Sequence, residues 1–131
     1  MWLAIAGLSG FLAALIGAIG EHAFHLSAKA THIFQIANQY HFYHSLLLAL
    51  CGYISLKAEQ RKVKLMANIA ALLCFVGLIC FSGSLYLYTL DYLPNAVLDL
   101  APIGGVSFML AWLCIGIVGG MQAMATLKSS Q

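Results

Sequence analysis

The chain has 131 residues, of which 63% are hydrophobic and only 8% charged, whereas a soluble domain carries about 25% charged residues. Its net charge of +2 is spread thinly, with no basic stripe, so nucleic acid is not an expected partner. The composition predicts an all-α integral membrane four-helix bundle. One span takes roughly 20 apolar residues, and four spans with short loops use residues 1–131 as a single transmembrane domain.

The first predicted helix covers about residues 2–20. It lacks the charged start of a secretion signal and its apolar run is longer, so it is read as a retained span. Gly7, Gly10, Ala13, Gly17 and Gly20 recur along it, and small residues at helical spacing let another backbone come close in lipid. A polar connection with Glu21, His22, His25 and Lys29 follows. The second helix is expected over about 33–56; its first turns are polar (Gln35, Asn38, Gln39, Tyr40, His41, Tyr43, His44, Ser45) and its second half apolar. The charged stretch Lys57–Lys64 is the next connection. The third helix is expected over about 65–90 and turns polar at Ser82, Gly83, Ser84, Tyr86 and Tyr88. The fourth follows Asp91, Pro94, Asp99 and Pro102, over about 103–127, and carries Gly116-x-x-x-Gly120. Gly17, Gly20, Gly104, Gly105, Gly116 and Gly120 are the expected helix-packing positions. Tyr86, Tyr88 and Tyr92 suit one interface belt and Trp2 the other, while Trp112 reads as a packing residue. The cysteines, Cys51, Cys74, Cys80 and Cys114, all fall in apolar segments without zinc-site spacing and read as small buried hydrophobes.

Charge asymmetry predicts orientation. Lys57, Arg61, Lys62, Lys64 and Lys128, against Glu59 alone, share a side with both termini; Lys29 stands against Glu21, Asp91 and Asp99 on the other. Both termini are therefore expected in the cytoplasm. That places Tyr40–His44 and Ser82–Tyr86 in the outer part of their helices, near His22 at the end of the first. His22, Tyr40, His44, Ser82, Ser84 and Tyr86 form a candidate polar cluster in the outer leaflet. His44 and Tyr40 are expected to face the bundle interior, with Ser82, Ser84 or His22 as partners, because polar side chains in hydrocarbon must be paired or face a cavity. Interhelical hydrogen bonding is the plainest use of such a cluster. A pocket for a small molecule, lipid or quinone is the second. His22-x-x-His25 and His41-x-x-His44 have metal-compatible spacing, but no cysteine or mid-membrane carboxylate completes a ligand set. No nucleophile–base–orienter set is legible. No metal or cofactor is assigned, and the reading leans away from an enzyme, with a redox carrier or enzyme using the histidines kept as the third alternative.

Four stretches then carry a resemblance: Gly17-Ala18-Ile19-Gly20-Glu21-His22-Ala23-Phe24, Gln39-Tyr40-His41-Phe42-Tyr43-His44-Ser45-Leu46, Phe81-Ser82-Gly83-Ser84-Leu85-Tyr86-Leu87 and Pro102-Ile103-Gly104-Gly105. In this order they resemble the small four-span family that includes bacterial YgdD and eukaryotic transmembrane protein 256. The family pattern matches at His22, Tyr40, Tyr43, His44, Ser82, Gly83, Ser84, Tyr86, Pro102, Gly104 and Gly105. It departs at Glu21, where a small residue is usual, and at His41, where glutamine is usual. The resemblance implies a multi-pass protein of the bacterial inner membrane and supplies no activity. The functional expectation is a structural or accessory membrane subunit, in contact with lipid and with a homo-oligomer or larger complex as partner. The alternative is a protein that binds or transports a small molecule, lipid or quinone.

Overall fold

The computed structural model describes residues 1–23, 26–90 and 95–129, with side chains for 1–20, 26–90 and 97–127. Those residues form four helical rods and no strand. The first is α1 (Trp2–Ala23) and the second α2 (Ala28–Lys57). The third is continuous from α3 (Arg61–Gly77) through a π-helical segment (Leu78–Gly83) into α4 (Ser84–Thr89). A 3-10 turn (Asn95–Asp99) leads into α5 (Leu100–Ser129).

Three of these rods are long and apolar enough to cross a membrane: Trp2–Gly20, Arg61–Thr89 and Val97–Leu127. The fourth rod, α2, is 30 residues long, about 45 Å. It is the polar one, and it lies against α1, α3, the π segment and α4. The surface is inverted relative to a soluble protein. Phe11, Leu46, Met109, Leu113 and Leu127 are all more than half exposed, while Ala37, Ala67, Ala70, Ala71 and Ala111 are fully buried. Small residues inside and large apolar residues outside are what lipid selects, since packing rather than water exclusion drives helix contact there. The chain is an all-α integral membrane helical bundle.

The rods extend beyond their expected starts for local reasons. Ser27 caps α2, its Oγ accepting from Ala30 N–H at 3.3 Å, so the helix begins five residues before 33 and takes in Thr31 and His32. The charged stretch after Lys57 joins α3 from Arg61 onward instead of forming a loop. Pro102 sits inside the first turn of α5, where a missing N–H costs nothing.

The glycines divide sharply. The Phe34 ring fills the space a Cβ on Gly20 would need, and at Gly17 that space lies 2.8 Å from Asn38 Oδ1. Gly104 is the tightest: its Cβ would meet the Phe81 backbone nitrogen, with Phe81 Cβ at 2.7 Å and the Cys80 carbonyl carbon at 2.9 Å. Gly105, next to it, meets only Phe81 Cδ2 at 4.0 Å. Gly116 and Gly120, expected as packing positions, have nothing within 4 Å among the described residues. They lie on the outward face of α5, whose opposite side packs against α3 and the π segment and buries Val118. Gly52 and Gly77 are also closely packed: a Cβ on Gly52 would lie 2.9 Å from Leu3 N, and one on Gly77 would strike the Phe108 ring.

Candidate functional site

The polar residues of α2 sort onto two faces with different fates. One face is sealed. Ser45 Oγ donates to the His41 carbonyl one turn back at 2.8 Å and lies 2.7 Å from Ser9 Oγ on α1. The single Ser45 hydroxyl proton is thus committed, and Ser9 is the donor between the two serines. Ser9 Oγ then accepts from His41 Nε2–H at 3.1 Å. His41 Nδ1 is left to accept from the Tyr86 hydroxyl at 3.4 Å. Tyr86 in turn accepts from Asn38 Nδ2 at 3.1 Å, and the other amide proton goes to the Ala13 carbonyl at 2.7 Å. Donors and acceptors alternate without conflict along the chain Asn38, Tyr86, His41, Ser9, Ser45, which ties α1, α2 and α4 together.

The other face opens into a groove. His44 is buried, 5% exposed. Its Nδ1 donates to the Tyr40 carbonyl at 2.8 Å, so its Nε2 carries the lone pair. That nitrogen accepts from Trp112 Nε1–H at 3.4 Å. The imidazole stacks on Phe108, ring centroids 3.5 Å apart, and Tyr40 lies over it at 5.7 Å. Tyr40 also touches Phe81, centroids 4.8 Å apart. These rings floor a groove of about 920 Å³ between α2 and α5, walled by Leu50, Met109 and Trp112. It exists because α5 packs on α3 and the π segment rather than along α2. The π segment delivers Phe81 to its floor; such widened turns are frequent at functional sites.

His44 lies 16 residues after the start of α2 and 13 before its end, roughly 24 and 20 Å along the axis. Its carbonyl accepts from Cys74 Sγ at 3.1 Å, and Cys74 stands midway along Arg61–Thr89. The imidazole is therefore at mid-bundle, deeper than an outer-leaflet cluster requires.

The candidate cluster is thus two sites. Tyr40 and His44 belong to the groove, and Tyr86 to the sealed chain. Tyr86 is no belt residue, because its hydroxyl points inward. Ser82 and Ser84 are both buried, yet neither reaches His44: Ser84 donates back to the Phe81 carbonyl at 2.9 Å, and Ser82 Oγ has no partner among the described residues. The side chain of His22 lies outside the described residues, as do those of Glu21 and His25. Trp112, read as a packing residue, is 53% exposed at the groove wall. Trp2 is fixed by donating to Asn68 Oδ1 at 2.9 Å, which also accepts from Ser55 Oγ at 2.8 Å. No cluster of three metal-ligating side chains occurs among the described residues.

The family model described as "Protein of unknown function (DUF423)" matches residues 16–105. The UPF0382 membrane protein of Staphylococcus saprophyticus is 33% identical over 119 residues, covering 89% of this chain and 94% of the relative. The UPF0382 inner membrane protein YgdD of Escherichia coli is 30% identical over 122 residues, covering 92% and 88%. YwdK of Bacillus subtilis, also a UPF0382 membrane protein, is 27% identical over 117 residues, covering 88% and 92%. No solved structure matches the chain. A family model over residues 16–105 and relatives that align over most of both chains show that this membrane protein belongs to the DUF423 family, with the UPF0382 proteins as its relatives.

Proposed function

We propose that this chain is a binding protein of the lipid phase, taking one hydrophobic ligand sideways from the bilayer into the groove between α2 and α5. One observation carries the reading. His44, buried at mid-bundle, turns its one acceptor nitrogen toward a large apolar groove, and its partner there is a half-exposed tryptophan. A polar edge at the floor of an apolar cleft is the usual make-up of a small-molecule site. The sealed chain through His41 is the structural counterpart: it fixes α1 and α4 on α2 and leaves the opposite face open.

Native mass spectrometry of the chain released from mild detergent tests this. One hydrophobic molecule per chain is expected on the wild type and none on Met109→Trp, whose indole fills the groove from its lipid-exposed wall. Wild-type chain free of ligand, or ligand retained by Met109→Trp, contradicts the reading. The same spectra address a second reading, an accessory subunit, which the bare faces of Gly116, Gly119 and Gly120 favour. A dimer or a heavier partner mass is its signature.

The proposed setting is the inner membrane, as named for the Escherichia coli relative, with both termini cytoplasmic. The five-to-one cation excess on the terminal side supports that orientation. A C-terminal alkaline phosphatase fusion is expected to be inactive, and a green fluorescent fusion bright; active phosphatase reverses the topology.

A further inference from the structure

We propose that the groove selects a neutral lipid alcohol, whose hydroxyl inserts between His44 Nε2 and Trp112 Nε1. This rests on the groove being a ligand site and goes on to name the ligand's chemistry. With Nδ1–H committed to the Tyr40 carbonyl, Nε2 can only accept. Trp112 Nε1–H can only donate. They meet at 3.4 Å, longer than the 2.7–3.2 Å at which an N–H ordinarily meets an oxygen. A hydroxyl is the simplest group that donates and accepts at once, so it satisfies both nitrogens at ordinary lengths. Trp112 is free to yield to it, being more than half exposed. A ketone or ester oxygen would accept from Trp112 and leave Nε2 unpaired.

Charge and depth exclude the common membrane lipids. No Lys, Arg, Asp or Glu is among the residues lining the groove, so an ionised phosphate would be buried without a counterion. His44 is level with the middle of the third rod, far from the interface where a phospholipid head group resides. A neutral alcohol can sink to that level and lay its chain along Leu50 and Met109.

The test titrates the delipidated full-length chain in detergent with geranylgeraniol, its methyl ether and its monophosphate, bound probe being counted by native mass spectrometry. The alcohol is expected to bind about tenfold more tightly than the ether, one hydrogen-bonded contact being at stake, and the phosphate more weakly still. A long-chain hydroquinone and its dimethyl ether, run beside them, tell an aromatic from an aliphatic source of the hydroxyl; a preference for the free hydroxyl in either pair supports the proposal. His44→Ala is expected to abolish the preference for the alcohol over the ether. Equal binding of alcohol and ether to the wild type overturns the alcohol assignment while leaving the groove as a ligand site. A preference for the phosphate overturns it likewise. Failure of every probe to bind overturns the groove reading itself.

Discussion

Gly104→Ala is expected to destabilise the bundle, and Gly104→Leu to prevent its assembly, whereas Gly105→Ala is expected to be neutral or mildly stabilising. The two glycines are neighbours on one helix, so propensity affects them alike; alanine at either gains up to about 1 kcal/mol of helix preference over glycine. The difference is in what each faces. A Cβ on Gly104 meets the main chain at Cys80 and Phe81, which cannot rotate away as a side-chain tip can. Relief requires α5 to move off the π segment, and that movement carries Phe108 from its stack on His44. Overpacking costs typically 1–3 kcal/mol, and leucine here belongs at or above the top of that range. At Gly105 the nearest atom is 4.0 Å away, an ordinary contact. Thermal release of the buried Cys51 and Cys74 thiols to a maleimide dye in detergent measures both variants. Equal melting of Gly104→Ala and Gly105→Ala would show that α5 does not approach the π segment as described.

His41→Leu is expected to cost about 1–3 kcal/mol, and His41→Gln much less. Leucine leaves the Tyr86 hydroxyl without its acceptor and Ser9 without its donor, and an unsatisfied buried polar group costs in that range. Redistribution of partners in the unfolded, membrane-inserted state keeps such losses modest. Glutamine offers an amide N–H for Ser9 and a carbonyl oxygen for Tyr86, so it can replace the imidazole without reversing any donor. The same thermal assay separates the two substitutions. If they melt alike, the ordered chain through His41 contributes nothing specific to the bundle.

The membrane class, the helix count and the close packing at Gly17, Gly20 and Gly104 are legible in residue chemistry. Apolar runs near 20 residues and small residues at helical spacing report directly on lipid and on neighbouring backbones. The start of α2 is missed: Ser27 is a capping residue at the right place, but the polar turns after it resemble a loop when hydropathy alone is followed. Gly116 and Gly120 mark the reach of spacing, which identifies a smooth face without saying what covers it. The π segment has no sequence signature here, and it sends Phe81 to the groove and Ser82 and Ser84 away from it. Without it, Ser82 and Ser84 look like partners for His44. The division of the cluster into a sealed chain and an open groove escapes sequence for a related reason. His41 and His44 are three residues apart, and only tertiary packing shows that α1 and α4 pair with one while Phe108 and Trp112 of α5 meet the other at the groove.

A crystal structure from a lipidic mesophase, of the chain purified without stripping its lipid, would show the groove's occupant outright. The groove reading predicts one elongated density along α2 and α5, with its polar end at His44 Nε2 and Trp112 Nε1. Direct packing of α5 on α2, with Met109 and Trp112 filling the space against Leu50 and no density between them, would contradict it.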